Sequence, residues 1–432
     1  MTTSISKSTS KPTSKPKIGF AGMTHLGLVS AIAAAEKGFE LVCFDTDSER
    51  ISQLNAGHLP VSEPQLEELL EKNKTHILFS DEAKDLQSCD VIYIAPDVPT
   101  DDLGQSDLAP INALLDLVFQ ASSLEAILVV LSQVPPGFTR SKQQIGRKLY
   151  YQVETLIFGR AVERALFPER YIVGCADPKV SIPQALLTFL EAHTCPILPM
   201  RFESAELAKI SINMCLVASV TTANTLAELC EQIGADWSEI VPALKLDRRI
   251  GSYAYLAPGL GISGGNLERD LATVCRFASA HQTDAGMVHA WIANSAHRKA
   301  WPAKLARQLL FTNAATPVIA IWGLAYKENT HSVKNSPALV SIAKLTDASL
   351  RVFDPVVMWQ DGWHPNAIPC KSALEALEGA DALMILTPWP IFKEMSAQDI
   401  AAKLKGKIVI DPYGILQEAF AANLEVHVLG RS

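Results

Sequence analysis

The sequence lacks any C-x-x-C pair, any long apolar run and any excess of positive charge. Its eight cysteines, at 43, 89, 175, 195, 215, 230, 275 and 370, are scattered and mostly sit in apolar segments. That usage fits reduced, buried thiols in a cytoplasmic protein, and no metal centre is expected. No uninterrupted apolar run is long enough to span a bilayer, so no membrane association is expected. The net charge of −8 gives no general attraction to a phosphate backbone, which argues against nucleic acid as a partner. Any bound phosphate must be held by local groups. The opening stretch, MTTSISKSTSKPTSKP, has neither an apolar core nor an arginine. A secretory signal and a transit peptide are therefore not expected, and the segment 1–16 reads as a disordered tail.

What is present is ordinary globular chemistry over 432 residues, with 48% apolar and 19% charged. That length allows two or three domains. Lys17–Gly22 (KIGFAG) is an apolar run ending in glycine. A helical pattern follows from Leu26 to Lys37, then an apolar run Leu41–Phe44 ending on Asp45. This is a βαβ opening. Further strands are expected at His76–Phe79, Asp90–Ala95 and Ala126–Ser132. Glu203–Ile233 contains neither glycine nor proline and reads as one helix, roughly 45 Å long at about 1.5 Å per residue. More helix is expected from Asp270 to about Leu310. Then the first pattern returns: Pro317–Gly323 (PVIAIWG) echoes KIGFAG, Leu350–Asp354 echoes LVCFD, and Ala380–Pro388 echoes Cys89–Pro96, with Lys407–Asp411 as another strand. The expected fold is α/β, with two Rossmann-like parallel-sheet domains joined by a long central helix and a helical segment. The expected boundaries are 17–198 for the first domain, 199–312 for the helical part and 313–432 for the second sheet.

A dinucleotide loop uses three glycines, for the turn, for close approach of the pyrophosphate and for helix–strand packing. In Gly22-Met23-Thr24-His25-Leu26-Gly27 the first and third are present and the second is Thr24. The Thr24 methyl crowds a phosphate, although its hydroxyl can donate to one. The amides at the start of the helix, at Thr24 and Leu26, keep an anion site. Asp45 lies downstream of Gly22, at the end of the second strand. A carboxylate there accepts from ribose hydroxyls and repels the extra phosphate of NADP, so NAD is the expected cofactor. The competing reading is a βα turn without a ligand.

Several stretches, in order and spacing, resemble the UDP-glucose/GDP-mannose dehydrogenase family over nearly the whole chain after the tail. They include Asp45-Thr-Asp-Ser-Glu-Arg-Ile, Glu63-Pro-Gln-Leu-Glu-Glu-Leu-Leu, Val98-Pro99-Thr and Val134-Pro-Pro-Gly-Phe-Thr-Arg140. Glu203-Ser-Ala-Glu-Leu-Ala-Lys209, Asp247-Arg-Arg249-Ile-Gly251, Pro258-Gly-Leu-Gly261 and Gly323-Leu-Ala-Tyr-Lys327 continue the series. The resemblance implies an NAD-dependent oxidation at C6 of a nucleotide-linked hexose, in a homodimer serving polysaccharide biosynthesis. In the family two hydrides leave in turn, and a cysteine captures the intermediate aldehyde as a thiohemiacetal that becomes a thioester.

By the same resemblance Val98, Pro99 and Gln133 fall on the cofactor side, Gln133 standing where threonine is usual. Arg249, Gly261 and Lys327 fall on the substrate side, and Arg249 implies a contribution to a neighbour's site. Lys209 and Asn213 match residues that stabilise oxygen charge and hold water. Being four apart on a helix, they share a face, and without the resemblance they read as a solvated face with Glu206. Asp270 matches an aspartate that assists proton transfer, and also reads as the N-cap of a helix Leu271–Ala278. Glu154 matches a family glutamate, although a second one nearby is replaced by Phe158. The sharpest departure is Ser263-Gly-Gly-Asn266-Leu-Glu-Arg-Asp270, where Asn266 takes the cysteine's place. An amide cannot form a thiohemiacetal. Three readings stay open: a two-electron oxidoreductase, a four-electron enzyme with another nucleophile or a hydrated aldehyde, and a non-catalytic nucleotide-binding relative.

Overall fold

In the computed structural model the described residues are 15–101, 104–312, 316–416 and 422–431. The tail expected over 1–16 lies outside them except for Lys15 and Pro16. Lys15 Nζ donates to the Lys37 carbonyl at 2.8 Å. The chain divides into two compact units, one running to Asp101 and including Ser106–Ser211, the other running from Ile212 onward with the short segment that ends at Gln105.

Short apolar runs buried on both faces build the first unit's sheet. Its strands are β1 (Ile18–Ala21), β2 (Leu41–Phe44), β3 (Ile77–Ser80), β4 (Val91–Ile94), β5 (Ile127–Val130), β6 (Lys148–Gln152), β7 (Tyr171–Cys175) and β8 (Ile197–Arg201). Their order is β3-β2-β1-β4-β5-β6-β7-β8. All pairings are parallel except β6 with β7, which is antiparallel. The strands β1, β2, β4 and β5 are buried at every residue, as expected where helices cover both faces. The helix His25–Glu36 follows β1 and buries ten of its residues. The strand order reverses between β1 and β4, and such a switch point is where doubly wound sheets take ligands.

In the second unit a sheet of β9 (Val318–Trp322), β10 (Ser349–Phe353), β11 (Ala367–Pro369), β12 (Ala382–Ile385), β13 (Ile408–Ile410) and β14 (Glu425–His427) runs in the order β11-β10-β9-β12-β13-β14. Every pairing in it is parallel. In chain order, helices Phe202–Ile233, Trp237–Leu246, Asn266–His281, Gly286–Lys299 and Trp301–Leu310 come between β8 and β9. The first is 32 residues long. By length and composition alone it could cross a bilayer, although no uninterrupted apolar run in the sequence is long enough to do so. Its two ends carry paired charges instead: Glu203 with Arg140, and Glu228 with Arg298.

One buried base ties the first unit's stability to pH. His193 is 5% exposed, packs edge-on against Tyr171 and Phe189, and donates from Nδ1 to the Phe189 carbonyl at 3.2 Å. Burial pushes its pKa from an ordinary 6.5 down to about 4. Between those values the unfolded chain binds a proton that the folded chain refuses. The neutral ring's contribution is therefore intact above about 6.5 and lost as pH falls to about 4, a change of about 3 kcal/mol. His193→Phe should flatten this part of the curve. Urea midpoints at about pH 7 and about pH 4.5 measure it, and an unchanged difference between the two would refute the assignment.

Candidate functional site

The first unit holds a glycine loop clasped by an aspartate. Gly22 has φ +97°, and a Cβ there would lie 2.7 Å from the Pro96 nitrogen. A Cβ on Gly27 would lie 1.9 Å from the Gly22 carbonyl oxygen. Both positions therefore need glycine. Thr24 occupies the gap left by the missing glycine, with its Oγ1 accepting from the Asp97 amide at 2.8 Å. Its own hydroxyl proton stays available to a ligand. Leu26 is 6% exposed and its side chain belongs to the core, so only its backbone can serve a cofactor. Val98 and Pro99 lie in the loop after β4, where the Pro99 carbonyl accepts from the Asp107 amide.

Asp45 ends β2, 5% exposed. Its Oδ2 accepts from the Met23 amide at 2.6 Å and from Arg50 Nη1 at 2.8 Å, and its Oδ1 accepts from the Asp47 amide at 3.0 Å. One lone pair on Oδ1 is left, enough for one ribose hydroxyl but not for both. Sequence reasoning missed Arg50, although its place five residues after Asp45, in the first turn of the next helix, could have found it. It also missed Glu63, whose carboxylate joins the glycine loop to the segment after Glu154. Glu63 Oε1 meets His25 Nε2 at 2.9 Å and accepts from the Gly159 amide, and Oε2 accepts from the Ala161 amide. His25 stacks on Phe158 at 4.2 Å. The Met23 amide is taken by Asp45 and the His25 amide by Asp97 Oδ2 at 3.2 Å, which leaves the amides of Thr24 and Leu26. With the remaining lone pair of Asp45 and two glycines that tolerate no side chain, this set fits a dinucleotide.

Glu154 and Lys209, far apart in sequence, meet in this unit. Lys209 Nζ lies 3.2 Å from Glu154 Oε2, with both side chains about one-sixth exposed. Glu154 Oε1 also accepts from the Leu156 amide. Gln133 is half-buried just beyond β5.

In the second unit Asn213 Nδ2 donates to Asp270 Oδ2 at 2.5 Å, and both residues are buried. A solvated helix face is excluded: Glu206 is 1% and Asn213 8% exposed. The N-cap reading of Asp270 is also corrected. The helix begins at Asn266, with Gly265 as its N-cap, so Asp270 sits in the second turn. Four residues apart on one helix, Asn266 and Asp270 share a face. Asn266 is exposed at the helix start, where a thiol would be acidified by the helix amides. Cys275 is nine residues further on, about 13 Å along the axis. Its thiol is pushed up by burial. Glu268 pairs with Lys299 at 2.9 Å and accepts from Asn335, whose Nδ2 also reaches the Gly264 carbonyl at 3.1 Å.

The predicted substrate residues divide. Arg249 is exposed and forks onto Asp247, Nη2 to Oδ2 at 2.6 Å and Nε to Oδ1 at 3.0 Å. Gly261 serves packing: a Cβ there would lie 2.5 Å from the Ser295 carbonyl oxygen. Lys327 follows the second glycine turn, its ammonium 5.8 Å from the Tyr326 ring centre.

Comparison with known proteins accounts for these features. Residues 16–189 match the NAD binding domain of the UDP-glucose/GDP-mannose dehydrogenase family, residues 203–296 its central domain and residues 320–418 its UDP binding domain. A UDP-glucose 6-dehydrogenase of Rickettsia conorii is 30% identical over 92% of this chain and 95% of its own length. UDP-glucose 6-dehydrogenase TuaD of Bacillus subtilis is 30% identical over 96% of this chain and 93% of its own. The solved structure of a UDP-glucose dehydrogenase from Pyrobaculum islandicum shares the fold, with a TM-score of 0.84 and 24% identity over 98% of this chain and 99% of that one.

Proposed function

Since this chain belongs to the UDP-glucose/GDP-mannose dehydrogenase family and carries its NAD-binding domain, we propose that it oxidises a CH–OH group of a nucleotide sugar or related alcohol by two electrons. The observation that carries this reading is Asn266, exposed at the start of its helix; by the resemblance it takes the place of the family thiol, while Lys209, Asn213 and Asp270 match family residues. NAD, when bound, accepts the hydride. Lys209, held by Glu154, stabilises the developing alkoxide. Asp270, fixed by Asn213, relays the proton or positions water. Asn266 can hydrogen-bond but cannot capture an aldehyde, so the product is an aldehyde or its hydrate. We propose 17–198, 199–312 and 313–432 as cofactor, central and nucleotide-sugar domains; the order of the matched spans supports that sequence of three.

Counting products tests the proposal. One NADH per sugar and an aldehyde by mass spectrometry are expected across a panel of nucleotide sugars. Two NADH with an acid product would sink it in favour of hydrated-aldehyde oxidation. The same stoichiometry after Cys275→Ser would exclude that thiol as a substitute.

The homodimer is proposed on the long helix. Leu226, Leu229 and Ile233 are 39%, 51% and 65% exposed along its second half, more apolar surface than a lone subunit leaves in water without reason. Arg249, exposed on its Asp247 fork, is free to reach a neighbour. Light scattering at micromolar concentration should give twice the chain mass, and a monomer would contradict it. All eight cysteines are free thiols, which supports a cytoplasmic enzyme supplying oxidised nucleotide sugar to polysaccharide biosynthesis.

A further inference from the structure

Glu206 is a carboxylate, 1% exposed, that the proposed chemistry does not use. It sits on the long helix one turn before Lys209. Its Oε2 accepts from the Gly137 amide at 2.6 Å and its Oε1 from the Thr139 amide at 2.8 Å. Those amides bracket the turn by which the chain leaves β5. Pro135 and Pro136 supply no N–H, and Gly137 stands at φ +92° as the N-cap of the short helix Phe138–Ser141 without a side-chain cap of its own. Glu206 supplies that cap from another element. Burial holds its carboxyl above the ordinary range, and the hydrogen bonds from Thr139 and Gly137 offset that only in part. A carboxyl group buried this deeply needs such fixed donors to satisfy its oxygens. The neighbouring Glu203 makes a second tie to the same short helix through Arg140, at 2.8 Å, but both of those side chains are about 40% exposed.

The place of this turn gives the clamp a function. A dinucleotide lies across the switch point of a doubly wound sheet, with its adenosine toward β2. Its other half therefore lies over the carboxyl ends of β4 and β5, where the segment 133–137 begins. We propose that Glu206 is a positioning residue that fixes the turn after β5 against the helix carrying Lys209, and so shapes the floor under the nicotinamide end of the cofactor. This rests on the reading that the first unit binds NAD.

The test compares two ligands by calorimetry. NADH has both halves, whereas ADP-ribose keeps the adenosine and pyrophosphate and lacks the nicotinamide. Glu206→Gln keeps the shape but turns an NH2 group toward one amide. It should weaken NADH by about tenfold or more and leave ADP-ribose within about twofold of wild type. Glu203→Gln should change neither. If Glu206→Gln does not fold, Glu206→Asp, which reaches only one amide, should show a smaller loss with the same selectivity for NADH. Equal losses for both ligands would reduce Glu206 to a stabilising cap and overturn the proposal. Wild-type affinity for both would overturn it as well, with NAD binding intact. A wild type that binds neither ligand at millimolar concentration would instead bring down the NAD reading, and the proposal with it.

Discussion

Lys209→Ala should cut turnover by on the order of 100- to 1,000-fold, the usual cost of removing a preorganised group from a developing oxyanion. NAD affinity should stay within about twofold, since Lys209 makes no hydrogen bond to the Gly22 loop or to Asp45, the groups proposed to receive the cofactor. The substitution also strips a largely buried Glu154 of the ammonium 3.2 Å away, and an unpaired carboxylate destabilises its surroundings. A second variant separates the two effects. Lys209→Met combined with Glu154→Gln restores neutrality and shape. If it folds like wild type and is as inactive as the single variant, charge at the reacting oxygen is what has been lost. Steady-state rates alongside calorimetry decide the matter, and near-normal turnover in Lys209→Ala would remove Lys209 from the chemistry.

Asp45→Ala should weaken NAD by on the order of 100-fold, because a ribose hydroxyl loses its proposed acceptor while the three hydrogen bonds by which Asp45 holds the loop, from Met23, Asp47 and Arg50, go at once. The Met23 and Asp47 amides lose their acceptor, and Arg50 loses one of its two carboxylates, keeping Asp47 Oδ2 at 3.2 Å. Arg50 also makes the effect directional. With Asp45 gone no carboxylate at the end of β2 repels a 2′-phosphate, and a guanidinium held only by the half-exposed Asp47 can turn toward it, so NADP should gain on NAD in the variant. Asp45→Asn, which keeps an acceptor but drops the charge, should fall between. Calorimetry with both cofactors reads the result, and an unchanged NAD affinity would displace the cofactor from this loop.

Much of this was legible in the chain itself. The runs at Ile18, Leu41, Val91 and Ile127 are buried on both faces, so they stand out as unbroken apolar stretches closed by polar or turn residues. The long helix shows as the stretch Glu203–Ile233, free of glycine and proline throughout. Less was legible at the edge of the first sheet. Lys148–Gln152 mixes charge with aromatics, and Ile197–Arg201 carries Pro199, which only an edge strand tolerates. The antiparallel turn from β6 to β7 leaves no trace in composition. In the site, Asp45 announced itself by spacing. Glu154 and Lys209 did not, because an ion pair closed between distant segments has no local pattern; the family resemblance picked out each by itself, and the structure pairs them. Asp270 read equally as a cap because a helix start cannot be fixed within a turn where Gly264, Gly265 and Asn266 precede it. Glu206 looked solvated because its partners are backbone amides, which no sequence displays.

The second sheet repeats the first one's clasp. Gly323 has φ +96°, and a Cβ there would run into Thr387. Asp354 follows β10 as Asp45 follows β2. Its Oδ2 accepts from the amides of Leu324 and Ala325 and from Trp389 Nε1, and its Oδ1 from the amides of Val356 and Val357. Five donors saturate a carboxylate. An acidic residue at this position thus keeps a lone pair to offer in one half of the chain and is a keystone in the other. Harm done at Asp354 would surface as lost folding yield rather than as altered ligand choice, because a carboxylate whose lone pairs are all spent within the fold has none to offer a ligand.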